Sequence, residues 1–99
     1  MSIYKNYTSA ATNENLITKG ANISGRISKI LIANVNTSNA VNVTIDLNDG
    51  TNTYTIIKEV EIPVKSTLVL SDNLSFDSSI YNLRITTSGT SPNVTVIIK

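Results

Sequence analysis

The sequence predicts an all-β, two-sheet antiparallel β-sandwich of about seven to eight strands, and three observations carry that expectation. β-Branched aliphatics dominate the apolar residues: Ile and Val supply 22 of the 99 residues, against 7 Leu and 5 Ala. Branching at Cβ suits a pleated, half-buried surface and costs rotamer freedom in a helix. Asn, Ser and Thr supply 38 residues, whereas Gln is absent and Glu occurs three times, a composition of turns rather than of helix surfaces. The apolar residues also recur with period two and show no helical stripe. In Val41-Asn42-Val43-Thr44-Ile45-Asp46-Leu47 every odd position is apolar and every even one polar, as in a strand with one buried and one wet face.

The elements follow in order. Residues 1–25 are the weakest part, with strands expected at Ile3–Thr8 and Asn15–Thr18; they form either an edge strand or an extended docking arm. From Arg26 to Val35 the apolar residues Ile27, Ile30, Leu31, Ile32 and Val35 occupy both parities. That reads as a central strand covered on both sides, or as one whose phase is flipped by a bulge. Asn36-Thr37-Ser38-Asn39 separates it from the strand at Val41. The Asp49-Gly50 pair is a hairpin signal. Tyr54 opens a strand that runs through Ile62 and stops at Pro63, which has no N–H for a ladder. Thr67-Leu68-Val69-Leu70 is a short strand. Tyr81 to Thr86 alternates with Tyr81, Leu83 and Ile85 inward, and Ser88 to Asn93 turns into a final hairpin ending on Val94 to Ile98. Short strands at regular spacing in a chain of this length predict one sandwich domain over residues 1–99.

Composition narrows the function. There is no Cys and no His, so neither a disulfide framework nor a Cys/His zinc site is available, and a Ser or Thr nucleophile lacks its usual base. The chain is expected not to be an enzyme, with no catalytic, cofactor-binding or metal-binding residue assigned. Net charge is +1, from 8 basic and 7 acidic residues spread along the chain, so neither a nucleic acid nor a membrane is an expected partner. The longest apolar run is Ile30-Leu31-Ile32-Ala33, and Met1 to Lys5 contains no apolar signal segment, so the chain is expected in the cytoplasm of the cell that makes it.

Several features invite sharper readings. Glu59 and Glu61 share one strand face about 7 Å apart by strand geometry, but two carboxylates beside Lys58 read as a solvated face. Asp46-Leu47-Asn48-Asp49-Gly50 faintly matches the start of a calcium loop without its glutamate, and the hairpin explains it without a metal. Six Asn-x-Ser/Thr sequons, at Asn6, Asn22, Asn36, Asn42, Asn73 and Asn93, are what this composition produces by chance. Tyr54 and Tyr81 are in phase with core positions. Tyr4, Lys5 and Tyr7 are the candidate partner-contact residues, on an arm or edge strand that meets a neighbour. Asp77-Ser78-Ser79-Ile80-Tyr81 resembles the Asp-x-Ala-x-Tyr approach to the penultimate strand of immunoglobulin-like domains, where the tyrosine hydroxyl bonds back to the main chain. It favours an immunoglobulin-like topology, with a jelly roll as second choice.

From Ser24 to Lys99 the order of features resembles small virion proteins of tailed phages, especially phages of aquatic bacteria. The resembling segments are Ile27-Ser28-Lys29-Ile30-Leu31-Ile32-Ala33-Asn34, Asn36-Thr37-Ser38, Val41-Asn42-Val43-Thr44-Ile45, the Asp49-Gly50 turn, Ile62-Pro63-Val64-Lys65-Ser66-Thr67-Leu68-Val69-Leu70, Leu83-Arg84-Ile85-Thr86 and Val94-Thr95-Val96. The resemblance implies a virion location and a capsid decoration or cement subunit. Its partners would be the major capsid protein or other virion proteins, with self-association or repeated copies on a particle. The alternatives are a tail, neck or fibre component, or a receptor- or glycan-binding module. The loops Asn36–Ala40 and Ser88–Asn93, where a glycan site would lie, contain no aromatic residue.

Overall fold

The computed structural model describes residues 3–20, 26–71 and 74–99; the sequons at Asn22 and Asn73 and the start of the resembling stretch at Ser24 lie outside them. Ten strands follow in order: β1 (Ile3–Tyr7), β2 (Glu14–Ile17), β3 (Arg26–Ile27), β4 (Ile30–Asn34), β5 (Val41–Asn48), β6 (Thr53–Ile62), β7 (Thr67–Leu70), β8 (Leu74–Ser75), β9 (Asn82–Ser88) and β10 (Val94–Ile98). Their antiparallel pairings nest inside one another: β1 with β10, β2 with β9, β3 with β8, β4 with β7 and β5 with β6. The chain is thus one long hairpin bent at the Asp49 loop. Because one face of that ribbon is apolar, it rolls up to bury the face on itself. Rolling adds the pairings β10 with β4 and β5 with β9.

Two four-stranded sheets result, a front sheet in the order β1-β10-β4-β7 and a back sheet in the order β2-β9-β5-β6, with β3-β8 as a short third ladder. The two-sheet antiparallel sandwich is therefore as expected. Its strand order is that of the jelly roll, not the immunoglobulin order. Immunoglobulin sandwiches keep their last two strands together in one sheet, whereas β9 and β10 lie in opposite sheets. The turn Ser88 to Asn93 is accordingly a crossing between sheets and not the expected hairpin; β5–β6 is the hairpin, closed by a four-residue loop, 49–52. Nor does the Asp77–Tyr81 segment form a tyrosine corner. The Asp77 carbonyl accepts the Ile80 and Tyr81 N–H groups at 3.0 Å, and its carboxylate accepts the Ser79 N–H at 2.9 Å and O–H at 2.5 Å. The Tyr81 hydroxyl makes no hydrogen bond among the described residues.

The core lies between the sheets. Ile32, Val94, Val96 and Ile98 of the front sheet face Val43, Ile45, Leu83 and Ile85 of the back sheet, all fully buried. Bulges let strands depart from strict alternation. The N–H groups of Ser28 and Lys29 both donate to the Lys99 carbonyl (2.8 and 3.2 Å), so two residues oppose one. That flips the phase between Ile27 and Ile30 and buries both, the bulged alternative for this segment. In β2 the register shifts between Asn15 and Ile17, and the adjacent Leu16 and Ile17 both point inward. β6 has two shifts against β5. One centres on Glu59, at φ 50°, whose N–H donates to Thr44 Oγ1 at 3.0 Å. Glu59, at that bulge, and Glu61, opposite Asn42, are both exposed. The two shifts cancel in parity, so Tyr54 lies opposite Leu47 on the inward side of the sheet; beside the 49–52 loop at the end of the sheet it is nonetheless 52% exposed and meets the half-buried Tyr81 edge-on, with ring centroids 6.0 Å apart.

Candidate interaction face

The two outer faces of the sandwich differ in chemistry, and cross-strand register is the cause. On the front sheet Tyr4 lies opposite Ile97, Ile97 opposite Leu31, and Leu31 opposite Val69. Four apolar side chains therefore form one row across all four strands, about 14 Å long at roughly 4.8 Å per strand. Tyr4 and Val69 at its ends are 68% and 47% exposed, and Leu31 and Ile97 between them are half-buried. On one side runs a row of Asn6, Thr95, Ala33 and Thr67, in which the Thr95 hydroxyl donates to Asn6 Oδ1 at 2.7 Å. On the other side stand the exposed Lys29 and Lys99, tied by the Lys99 N–H to the Lys29 carbonyl at 3.0 Å.

The back sheet presents no such row. Its outward residues are Asn42, Thr44, Asp46 and Asn48 on β5 and Asn82, Arg84, Thr86 and Ser88 on β9. Arg84 Nε donates to Asp46 Oδ1 at 2.7 Å in an ion pair whose side chains are 16% and 6% exposed. Thr86 Oγ1 accepts the Asn13 N–H at 3.0 Å. Charge is divided in the same way. Among the described residues, the charged side chains on the front strands or within two positions of them are Lys5, Lys29, Lys65 and Lys99; Asp72 lies outside those residues. The back strands carry four carboxylates, Glu14, Asp46, Glu59 and Glu61, against Lys58 and Arg84. The near-zero net charge of the chain conceals this division.

Of the three residues expected to contact a partner, the register brings Tyr4 alone to the outer face. β1 pairs with β10 along its whole length, so Ile3 to Tyr7 form an edge strand and not a free arm. Lys5 lies opposite Val96 and Tyr7 opposite Val94, both on the inward parity. Lys5 stays exposed at the rim, an inward-pointing charge of the kind that discourages edge-to-edge pairing. Tyr7 packs against the core; burial, and then the Glu14 carboxylate, push its phenol pKa up. Leu31, Ile97 and Val69 were not among the expected contact residues. Their trace in the sequence is that Ile30-Leu31-Ile32, Val96-Ile97-Ile98 and Leu68-Val69-Leu70 are each apolar on both parities.

Other candidate sites are already occupied by local structure. Asp49 Oδ1 accepts the Thr51 and Asn52 N–H groups at 2.8 and 2.7 Å. Those bonds, that of Asn52 foremost, hold its carboxyl below the usual carboxylate range. With Asp46 committed to Arg84, the Asp46–Gly50 segment is a hairpin stem and loop. Among the described residues no three acidic, His or Cys side chains come together as a metal site. No helix among them is long and apolar enough to cross a membrane. A cavity of about 360 Å³ opens between β6 and β7, lined by Ile27, Ile30, Ile56, Ile57, Val69, Leu70, Ser71 and Leu74; it offers apolar burial and no titratable group. The chain matches no protein-family model, no curated protein and no solved structure.

Proposed function

We propose that this protein is a non-catalytic structural subunit of a virus particle, a capsid decoration or cement protein that docks on the major capsid protein and stabilises the shell. The observation that carries the reading is the apolar row Tyr4–Ile97–Leu31–Val69 on one outer face of a sandwich whose other outer face is polar. A contiguous apolar strip rimmed by polar residues is the surface chemistry of a contact site. The sequence resemblance points the same way, and the jelly roll is an architecture that viral shells use, an analogy at the level of fold alone. Docking in many copies lets a modest single contact hold. The test is copy number per particle by quantitative mass spectrometry: hundreds of copies support capsid decoration, a few dozen or fewer move the protein to tail, neck or fibre, and absence from purified particles overturns the reading.

A receptor- or glycan-binding module is the second reading, and Tyr54 is the observation that favours it. Its ring is half-exposed beside Tyr81, and exposed aromatic faces stack on sugars. Specific hits on a glycan array that vanish in Tyr54→Ala would put this reading first.

A further inference from the structure

We infer that the outer face of the front sheet meets a protein surface whose apolar side chains are rimmed by carboxylates and which repeats on a larger assembly. The inference rests on the proposed role as a particle subunit and names the chemistry of the partner.

Charge is the first argument. The apolar row is flanked on one side by Lys29 and Lys99, and every described charge on or near the front strands is a lysine. A complementary partner places carboxylates along that flank. The row on the other side, Asn6, Thr95, Ala33 and Thr67, carries no charge, and the exposed Lys65 stands beyond it before β7, so the cations sit at the rim of the apolar row, where complementary carboxylates steer docking.

Size is the second argument. Four strands about 4.8 Å apart, each contributing about five residues at roughly 3.3 Å, project to roughly 300 Å². A stable pairwise interface uses about 800 Å² per partner. A second copy of this chain is therefore a poor occupant: the face is too small to hold a free dimer, and face-to-face copies bring together surfaces whose charges, among the described residues, are all of one sign. A small contact becomes durable when the partner is repeated and the bound copies reinforce one another.

Shape and composition supply the third. The three front-sheet ladders run without a register shift, so the face is regular where both edge strands of the back sheet are bulged. A nucleic acid needs cations that follow its backbone, whereas the middle of this face is aliphatic.

The experiment is cosedimentation of the full chain with shells stripped of it, at low and at high salt. Wild type binds, more weakly as salt rises. Lys29→Glu with Lys99→Glu weakens binding roughly tenfold or more and removes most of the salt dependence. Tyr4→Ser with Val69→Thr, both at exposed positions, weakens it by a similar factor while leaving the salt dependence in place. Glu61→Lys, on the back sheet, binds as wild type, and circular dichroism melts confirm that every variant folds. Front-face variants that bind as wild type overturn this inference and leave the particle role standing. A wild type that ignores the shells removes the particle role and this inference with it. Tighter binding to single-stranded RNA or to anionic vesicles than to shells, or a solution dimer broken by the front-face variants, overturns the carboxylate-rimmed partner.

Discussion

Asn34→Asp is the sharpest probe of how the two sheets are held together at one end of the sandwich. Asn34 closes β4, and its carboxamide is 2% exposed. Its Oδ1 accepts the Asn36 N–H at 3.0 Å. Its Nδ2 donates toward three carbonyls, Asn39 at 3.0 Å, Ile62 at 3.0 Å and Pro63 at 3.2 Å, so one of its two hydrogens is shared. This one side chain therefore links the end of a front strand to the β4–β5 loop and to the end of β6 in the back sheet. The substitution keeps the shape and changes the hydrogens. With the introduced carboxyl neutral, one O–H replaces two N–H groups, and about 1–3 kcal/mol is lost for a buried carbonyl left without a donor. With it ionised no donor remains and an anion faces carbonyl oxygens, which raises the loss to about 3–6 kcal/mol. The stability of a domain this size is about 5–15 kcal/mol. The carboxyl is pushed above its unfolded value of about 3.9, because the fold favours its protonated form. The variant therefore comes closest to wild type below that value and falls away as pH rises through the folded pKa. Urea unfolding at acidic and neutral pH, with wild type run beside it, reads both the loss and its sign. At about 4–8 °C per kcal/mol, the neutral-pH melting point drops by at least about 12 °C. A variant within about 2 °C of wild type at neutral pH, or one that gains on wild type as pH rises, refutes the reasoning.

Four further outcomes follow from the same geometry. Asp46→Thr or Arg84→Thr breaks the ion pair on the back sheet and costs about 2–3 kcal/mol, less than a fully buried pair because Arg84 keeps some water contact; combining the two recovers most of the loss in a double-mutant cycle followed by chemical denaturation. The raised phenol pKa of Tyr7 means that its neutral form is the one the fold accepts, so wild-type stability is complete below the ordinary value of 10.0 and declines as pH climbs through the folded value; alkaline denaturation should show a shallower decline in Tyr7→Phe. At Gly89, φ is 131° and an added Cβ sits 3.1 Å from the Ala40 carbonyl oxygen, so Gly89→Ala lowers stability by about 1–3 kcal/mol. Glu59→Gly, at the left-handed bulge position of β6, is neutral or raises stability by up to about 1 kcal/mol in the same thermal assay.

Most strands were legible from alternation and turn residues. Val41 to Leu47 faces as its pattern says, and Pro63 ends β6 as a residue without an N–H must. A strand's facing is reset wherever an extra residue enters a ladder, as between Ile27 and Ile30 and at Leu16 and Ile17. Tyr54 is in phase with the core by count and by register, opposite Leu47, yet it stands exposed because it lies beside the 49–52 loop at the end of the sheet. At the candidate face the sequence singled out Tyr4 but not the residues beside it. Nothing near Tyr4 in the chain announces that Ile97, Leu31 and Val69 share its row.

The sequence by itself determined that the chain makes strands, where most of them begin and end, and that no histidine or cysteine chemistry is open to it. These are properties of single residues and of period-two patterns, which act over a few positions. Only the tertiary structure decided that the strands nest as one rolled hairpin in jelly-roll order, that β9 and β10 part into different sheets, and that the carboxylates of the described strands all fall on the back sheet. Those outcomes depend on pairings as remote as Ile3 with Ile98. Such pairings are selected by burying the apolar face of the whole ribbon at once, a constraint that no local stretch of sequence contains.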